Sequence, residues 1–195
     1  MSVNIGTQLL EGKDIRLGPI DLEKDPEVES AWMHTSDFAR LMELEPARPM
    51  PPFKIKKQYE QIEKDMDEHE NLFHFMIRSK VDDRLIGKAI VDNVDWPNRG
   101  GIIRIGIGAE ADRRKGYGSQ ALNLILRLAF NEINLHRLTG YVPEYAPDAL
   151  EFFKKSGFVE EVRRRKAIQR DGRGWDIHMI GLLASTWRLQ NKEVK

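Results

Sequence analysis

Hydrophobic and polar residues recur along the chain with two different periods. Alternation with a period of two, or a β-branched apolar run between turn residues, is typical of strands. These patterns predict seven strands, at residues 14–20, 73–78, 85–94, 102–108, 136–142, 159–169 and 175–183. The last two form a hairpin around residues 170–174.

An apolar stripe with the helical period predicts helices at residues 54–69, 117–133 and 147–155, and a less regular stripe predicts another at 21–34. Asp25-Pro26 is typical of a helix start, and Gly157 of a helix end. Four prolines within residues 45–52 exclude a regular helix or central strand, so this segment is predicted to be a loop.

The order of these elements predicts a single domain over residues 1–195 of the α/β or α+β class. Its sheet is mainly antiparallel, with one parallel crossover near the middle. The polar tail after residue 187 is expected to fray.

Composition limits the classes of function. The chain has 195 residues, of which 41% are apolar and 32% charged, as in an ordinary globular domain. Its formal net charge is zero, which disfavours nucleic acid as a partner. It contains no cysteine, so disulfides, thiolate metal ligands and an acyl-cysteine intermediate are excluded. No metal is predicted.

The N-terminus lacks the basic and apolar regions of a secretory signal. No stretch approaches the roughly 18 apolar residues that a membrane helix needs. We therefore expect a cytoplasmic protein with no membrane contact.

The strand at residues 102–108 carries two glycines on one face, Gly106 and Gly108, beside Arg104. Ile103, Ile105 and Ile107 lie on the other face. Because glycine weakens a strand, the pair indicates that something approaches the backbone closely. The approaching group is either a narrow ligand or a helix packed tightly over the sheet. A bulge in the strand would also explain the glycines.

The segment Arg113-Arg-Lys-Gly-Tyr-Gly118 lies directly before the helix predicted at residue 117. Free backbone N–H groups and the helix dipole make such a junction an anion site, and glycines let the backbone wrap around phosphate oxygens. The basic residues alone also fit a solvated loop. Together with the paired glycines they favour a phosphate site.

Gly116-Tyr-Gly-Ser-Gln-Ala121 also satisfies the dinucleotide fingerprint G-x-G-x-x-A. That fingerprint follows its strand immediately, whereas residues 109–115 intervene here. It also needs an acidic residue about 20 positions further on, where this chain has His136. We reject the dinucleotide interpretation, and no P-loop motif is present.

Arg113-x-x-Gly116-x-Gly118 resembles the R/Q-x-x-G-x-G/A motif with which the GNAT superfamily of N-acetyltransferases holds the pyrophosphate of acetyl-CoA. Other segments resemble one branch of that superfamily, which includes the ribosomal-protein N-terminal (alanine) acetyltransferases and many uncharacterised small-molecule acetyltransferases. These segments are Trp96, residues 101–107, Gly116-Tyr-Gly-Ser119, Leu135-His-Arg137, Lys155-Ser-Gly-Phe158 and residues 176–183. The match covers about Leu85 to Arg188.

The resemblance implies a helix-flanked sheet with one splayed parallel pair and a CoA-binding core at about residues 85–160. Backbone groups of Ile107, Gly108 and Ala109 would face the pantetheine arm. The helix with Phe153 would flank the thiol. The pyrophosphate would be held by Arg113, Arg114, Lys115, Gly116, Tyr117, Gly118 and Ser119. An amine would attack the thioester directly, and a backbone N–H of the central strand would stabilise the oxyanion.

Two positions depart from the family pattern. The tyrosine that usually protonates the leaving thiolate is replaced by Phe153, and the usual asparagine by Ala146. Solvent or CoA itself could supply the proton, since a thiolate whose thiol has a pKa near 8.5 is an adequate leaving group without a general acid. Alternatively Tyr145 could be the general acid, or the protein could bind CoA without catalysis.

The leading hypothesis is transfer of acetyl from acetyl-CoA to a primary amine, either a protein N-terminus or a small molecule. The alternative is a non-catalytic acyl-CoA-binding or sensing module of the same fold. No general base is identified. A homodimer is an expectation from the family alone.

Overall fold

The computed structural model describes residues 8–42 and 46–192. These residues form a seven-stranded sheet with the order β1-β2-β3-β4-β5-β7-β6. Every neighbouring pair is antiparallel except β4 and β5, which are parallel. The strands are β1 (Ile15–Gly18), β2 (Phe73–Ser79), β3 (Leu85–Asp95), β4 (Gly100–Ile107), β5 (Arg137–Pro143), β6 (Val159–Arg170) and β7 (Arg173–Leu183).

Helices cover both faces of the sheet, as the single-domain α/β expectation requires. The helices are α1 (Asp25–Met33), α2 (Ser36–Met42), α3 (Pro52–His69), α4 (Tyr117–Arg127), α5 (Pro147–Lys155) and α6 (Ala184–Lys192). Two buried clusters result, one on each face. The first packs α4, α5 and α6 against residues such as Ile103, Leu138 and Ile180, and the second joins α1, α2 and α3 to Met76 and Leu85.

The predicted strands and the main helices are confirmed, with end shifts of a few residues. The predicted helix at 117–133 is α4 followed by a π-helical turn, Leu128–Glu132, in which the N–H of Ile133 donates to the carbonyl of Leu128. The predicted loop at 45–52 is irregular from residue 46 to 51, whereas Glu45 lies outside the described residues.

Two helices depart from the sequence expectations. α2 was not predicted. The expectation of a fraying tail is wrong up to Lys192, because residues 184–192 form α6. Trp187 anchors this helix, since it is buried with its ring centroid 5.5 Å from that of Phe130. Arg188 adds a hydrogen bond of 2.6 Å to the carbonyl of Phe130.

The two strand glycines explain how α1 and α2 approach the sheet so closely. A Cβ on Gly106 would overlap Met42 of α2, and one on Gly108 would overlap the indole of Trp32 of α1. The close approach predicted from these glycines therefore comes from helix packing, which was the alternative to a ligand arm. Ile103 is buried on the opposite face, and Ile105 and Ile107 pack there too, as the alternation predicts.

Charged groups are buried beneath α1 and α3. Lys88 Nζ lies 2.8 Å from Glu29 Oε1, and the hydroxyl of Tyr59 donates to Glu29 as well. Nearby, the Arg78–Asp25 pair is 2.7 Å long, and burial raises the pKa of the Asp25 carboxyl. Such groups are tolerated in a core because each is paired and hydrogen-bonded.

His74 of β2 shares this region and stands edge-on to the ring of Tyr59, 6.3 Å between centroids. Burial lowers the pKa of His74 to about 3, and the positive charges of Lys88 and Arg104 act in the same direction. The imidazole is therefore neutral in the folded protein at neutral and mildly acidic pH.

This neutral histidine predicts an acid-sensitive fold. The imidazole of His74 has a pKa near 6.5 in the unfolded chain. Below that pH the unfolded chain binds a proton that the folded protein does not bind, so the free energy of unfolding falls as pH falls. Between pH 7 and pH 5 the loss from this residue is about 2 kcal/mol. Urea unfolding at pH 7 and at pH 5 measures this loss of unfolding free energy.

His74→Phe removes the titrating group, so its free energy of unfolding should fall less between pH 7 and pH 5 than that of the wild type. His69→Asn changes an exposed histidine and serves as the matched control, with the wild-type pH dependence expected. An equal loss in His74→Phe and the wild type would contradict the assignment.

Candidate active site

The parallel pair β4–β5 opens into a gap. Its register joins Gly100, Gly101 and Ile102 to Arg137, Leu138 and Thr139, and no further pair follows among the described residues. β4 nevertheless continues to Ile107 and β5 to Pro143. Every second residue of β4 beyond Ile102 thus turns its backbone N–H and C=O groups away from β3 and into the gap.

A cavity of about 790 Å³ follows this gap. Its walls come from α2, β4, the loop before α4, the first turn of α4, β5 and α5. The lining residues are Phe38, Leu41, Met42, Ile103, Arg104, Ile105, Gly106, Ile107, Glu110, Arg113, Arg114, Gly116, Gly118, Ser119, Tyr141, Val142, Pro143, Ala146, Asp148, Ala149, Phe152 and Phe153.

One end of the cavity is the N-terminus of α4. Gly116 precedes the helix with φ +83°, a left-handed conformation that glycine adopts without strain. The first backbone bond of this helix joins the Gln120 N–H to the Gly116 carbonyl, 3.1 Å. No side chain among the described residues caps the preceding N–H groups. The N–H groups of residues 117–119 are therefore available to an anion.

The three basic residues before α4 have different positions. Arg113 folds back onto β4, where its guanidinium donates to the carbonyls of Ile107 (3.3 Å) and Gly108 (3.0 Å). Arg114 lies 2.8 Å from Asp148, with both side chains more than four-fifths exposed. Lys115 Nζ is 3.5 Å from Asp112. Two of the three cations at the amide-rich end of the cavity are thus paired with carboxylates.

Asp112 fixes this loop to the rest of the sheet. It is buried in a 3₁₀ turn, Glu110–Asp112, and accepts two hydrogen bonds of 2.6 and 2.7 Å from the guanidinium of Arg84. These bonds hold the pKa of the Asp112 carboxyl below its usual range. The Arg84–Asp112 pair therefore connects the start of β3 to the loop that carries the cations.

The other end of the cavity is apolar on the α5 side. Ala146 is the residue preceding α5, and Phe153 is buried between Phe152 and Phe158, with ring centroids 5.2 and 5.1 Å away. Neither Ala146 nor Phe153 can donate a proton. The sequence expectation that α5 lacks the usual general acid thus matches the side chains of this wall.

Tyr145 is not among the residues that line the cavity. Its hydroxyl donates to the carbonyl of Arg40, 3.0 Å away, and its ring stands edge-on to Trp175, 5.4 Å between centroids. Burial raises the pKa of Tyr145. These contacts support a role in joining the β5–α5 connection to α2, and its role as general acid stays a prediction.

Comparison with known proteins identifies the family. The sequence profile described as "Acetyltransferase (GNAT) family" matches residues 38–158, which is more than half of the chain. The chain belongs to the GNAT acetyltransferase family. It is therefore an acetyl-CoA-dependent N-acetyltransferase, with acetyl-CoA as the acetyl donor, and the hypothesis of a non-catalytic module is set aside.

Individual relatives of this GNAT protein agree with that assignment. The probable N-acetyltransferase YjcK of Bacillus subtilis (strain 168) is 30% identical over 130 residues, covering 65% of this chain and 67% of the relative. The spermidine N(1)-acetyltransferase of Vibrio cholerae serotype O1 is 25% identical over 119 residues, covering 61% and 68%. The named relatives are not ribosomal-protein acetyltransferases, so that branch assignment is corrected.

A solved structure confirms the GNAT fold. The spermidine N-acetyltransferase from Vibrio cholerae, in complex with CoA and spermine, superposes with a TM-score of 0.78. The identity is 19%, over 90% of this chain and 98% of that protein. At this identity the likeness establishes the fold, and the mixed sheet with one parallel pair is confirmed.

Seven of the residues predicted to bind the cofactor line the GNAT cavity: Ile107, Arg113, Arg114, Gly116, Gly118, Ser119 and Phe153. Gly108, Ala109, Lys115 and Tyr117 do not. Gly108 in particular has both backbone groups engaged, because its N–H donates to the Ile86 carbonyl at 3.0 Å and its carbonyl accepts from Arg113.

Sequence reasoning missed most of the wall opposite α5. Phe38, Leu41 and Met42 come from the unpredicted α2. Tyr141 lies on a predicted strand, and the alternation of Leu138, Gly140 and Val142 is the signal that assigns Tyr141 to the opposite face.

No helix among the described residues is long and apolar enough to cross a membrane. The same residues contain no group of three or more histidine, aspartate or glutamate side chains suited to hold a metal ion. The expectation of no metal stays a prediction.

The Arg84–Asp112 pair predicts a stability effect at the cation loop. Asp112→Asn removes a charged acceptor that is 5% exposed and should cost about 1–2 kcal/mol, discounted because Arg84 is 45% exposed. Arg114→Gln breaks a pair whose side chains are 86% and 85% exposed and should change stability by less than about 0.5 kcal/mol. Urea unfolding of both variants tests the contrast, and equal losses would contradict it.

Proposed function

We propose that this enzyme transfers acetyl directly from acetyl-CoA to a primary amine while both substrates are bound. One observation carries the proposal. A single cavity connects the cation-rich N-terminus of α4 to the unpaired edge of β4 and continues to α2. Its three parts suit a pyrophosphate, a pantetheine arm and an acceptor amine in that order.

The pyrophosphate belongs at the first turn of α4. The N–H groups of Tyr117, Gly118 and Ser119 point out of the helix, and the helix dipole adds positive potential there. Arg114 and Lys115 contribute charge from the preceding loop. Arg113 acts differently, because its guanidinium already supports the end of β4.

The pantetheine arm belongs along β4, between Ile103 and Ile107. This stretch has no partner strand in the gap among the described residues, so its N–H and C=O groups can bond to amides of the arm. The position is shifted from the sequence-based one, because the backbone groups of Gly108 are engaged within the protein.

The reaction needs no covalent enzyme intermediate. An unprotonated amine attacks the thioester carbonyl, and a β4 N–H in the gap stabilises the oxyanion in a partly apolar cavity. Collapse of the tetrahedral intermediate releases CoA and the amide. Direct attack also fits a chain that contains no cysteine.

The acceptor enters from the α2 side, where Phe38, Leu41 and Met42 line the cavity. Small-molecule amines are the proposed class, and polyamines are the first to test, because named relatives are spermidine N-acetyltransferases. A peptide N-terminus is the competing acceptor in the same experiment.

A steady-state assay tests the reaction. We expect thiol release from acetyl-CoA in the presence of spermidine or spermine, with turnover on the order of 1 s⁻¹ or more. A thiol reagent detects only CoA, because the protein has no cysteine. Varying both substrates should give intersecting double-reciprocal lines. Parallel lines would contradict direct attack, and turnover with peptides alone would contradict the polyamine proposal.

A variant of the phosphate end tests the donor site. A Cβ on Gly118 would lie 3.7 Å from Phe152 and 3.8 Å from Ile107, so the folded chain has room for it. The branched side chain of Gly118→Val would project further into the cavity and should weaken CoA binding more than tenfold, about 1.4 kcal/mol. Isothermal titration with CoA measures this affinity.

Gly100→Val is the matched control, because nothing lies within 4 Å of its Cβ position at the far end of β4. It should bind CoA like the wild type. If Gly118→Val keeps its affinity within tenfold while its melting temperature is unchanged, the phosphate assignment is wrong.

A further inference from the structure

The cavity contains a phenol that no assignment above uses. Among the tyrosines, the Tyr59 hydroxyl is bound to Glu29 and the Tyr145 hydroxyl to the Arg40 carbonyl, and Tyr117 is outside the lining. Tyr141 of β5 is the tyrosine that lines the cavity. It is half-buried, and its hydroxyl has no hydrogen-bond partner among the described residues. That hydroxyl is also not among the buried polar atoms without a partner, so it is accessible.

The sheet register places Tyr141 where the gap begins. Ile102 pairs with Thr139, so two residues further along the two parallel strands Arg104 and Tyr141 occupy corresponding positions on the same face. Gly140 turns to the other face, where a Cβ would meet Ile180 and Ile103. Tyr141 therefore projects on the face that carries α2, the acceptor side.

The chemistry of the opposite wall makes this position important. Ala146 and Phe153 line the cavity without a side-chain proton donor, and the Tyr145 hydroxyl is bound elsewhere. In the proposed function the thioester lies in the gap between β4 and β5. A group on β5 at the start of the gap can reach its sulfur from the acceptor side.

We propose that Tyr141 is the catalytic general acid that protonates the departing sulfur of CoA, an inference that rests on the proposed function. The amine nitrogen forms a bond to the thioester carbon. The C–S bond then breaks, and its electron pair stays on sulfur, which takes the phenolic proton of Tyr141. The phenolate regains a proton from the nitrogen that attacked, directly or through solvent. The products are the neutral amide and CoA thiol.

The pKa values of the two groups permit this proton transfer from phenol to sulfur. A free phenol has a pKa near 10 and a thiol one near 8.5, so the groups are matched to within about two units. The nitrogen that has attacked is positively charged and more acidic than either, so it restores the phenol. A well-placed general acid of this kind contributes about 10²–10⁴-fold to a rate.

Tyr141→Phe tests the role by removing only the hydroxyl. We expect kcat with acetyl-CoA and the acceptor amine to fall about 10²–10³-fold. The Kd for CoA and the KM for the amine should stay within about threefold. Tyr145→Phe tests the competing candidate, because the same atom is removed outside the cavity. A loss of kcat in Tyr145→Phe with none in Tyr141→Phe would assign the acid to Tyr145 and overturn the proposal.

A change of leaving group separates acid catalysis from a structural effect. In the oxygen-ester analogue of acetyl-CoA the leaving group is an alkoxide, which depends on protonation far more than a thiolate does. The ratio of wild-type to Tyr141→Phe kcat should therefore be larger for the analogue. An equal ratio for both donors would overturn the proposal.

Other outcomes are equally decisive. If Tyr141→Phe keeps kcat within threefold, or raises only the amine KM, Tyr141 is not the acid. If the wild type acetylates amines normally in that experiment, the proposed function survives this failure. If the wild type binds CoA but acetylates no amine, the proposed function and the role of Tyr141 fail together.

Discussion

β4 and β5 are hydrogen-bonded over three residue pairs, and the arrangement of the site depends on where that pairing stops. Parallel neighbours require a crossover, here the loop and α4 between Ile107 and Arg137, and the crossover returns the chain over the sheet. The N-terminus of α4 therefore lies beside the end of β4. The same geometry leaves the β4 edge unpaired in the gap, so anion-binding amides and free strand amides come from one topological feature.

α2 lines the cavity beside the gap, and two glycines allow the close packing of α1 and α2. Met42 packs over Gly106 and Trp32 over Gly108, positions where a Cβ would overlap these side chains. The Lys88–Glu29 pair holds α1 to β3 at the same level. The α2 wall is thus built by helix packing, while Gly106 also lines the cavity.

Most strands and the longer helices could be predicted, because their periodicity reflects which face is buried. The glycine turn before α4 could be predicted as well, since Gly116 acts through local backbone geometry. The phosphate role of Arg113, Gly116 and Gly118 stays a prediction. α2 could not, because seven residues with apolar side chains on several sides give no clear stripe. α6 was missed because its anchors, Trp187 and Arg188, contact Phe130, which is distant in sequence. The engagement of Gly108 and the exposure of Tyr141 depend on contacts between strands distant in sequence, and local pattern does not contain them.

The loss of polar groups at Ala146 and Phe153 affects electrostatics as well as proton transfer. Ala146, Ala149, Phe152 and Phe153 make most of the α5 wall apolar, and a hydrogen-bond donor acts more strongly in such a low dielectric. The cavity is lined by β5 as well as by α5, so a proton donor on β5 does not require one on α5. An apolar α5 wall and a phenol on β5 are therefore compatible parts of one site, with charge stabilisation and proton supply assigned to different strands.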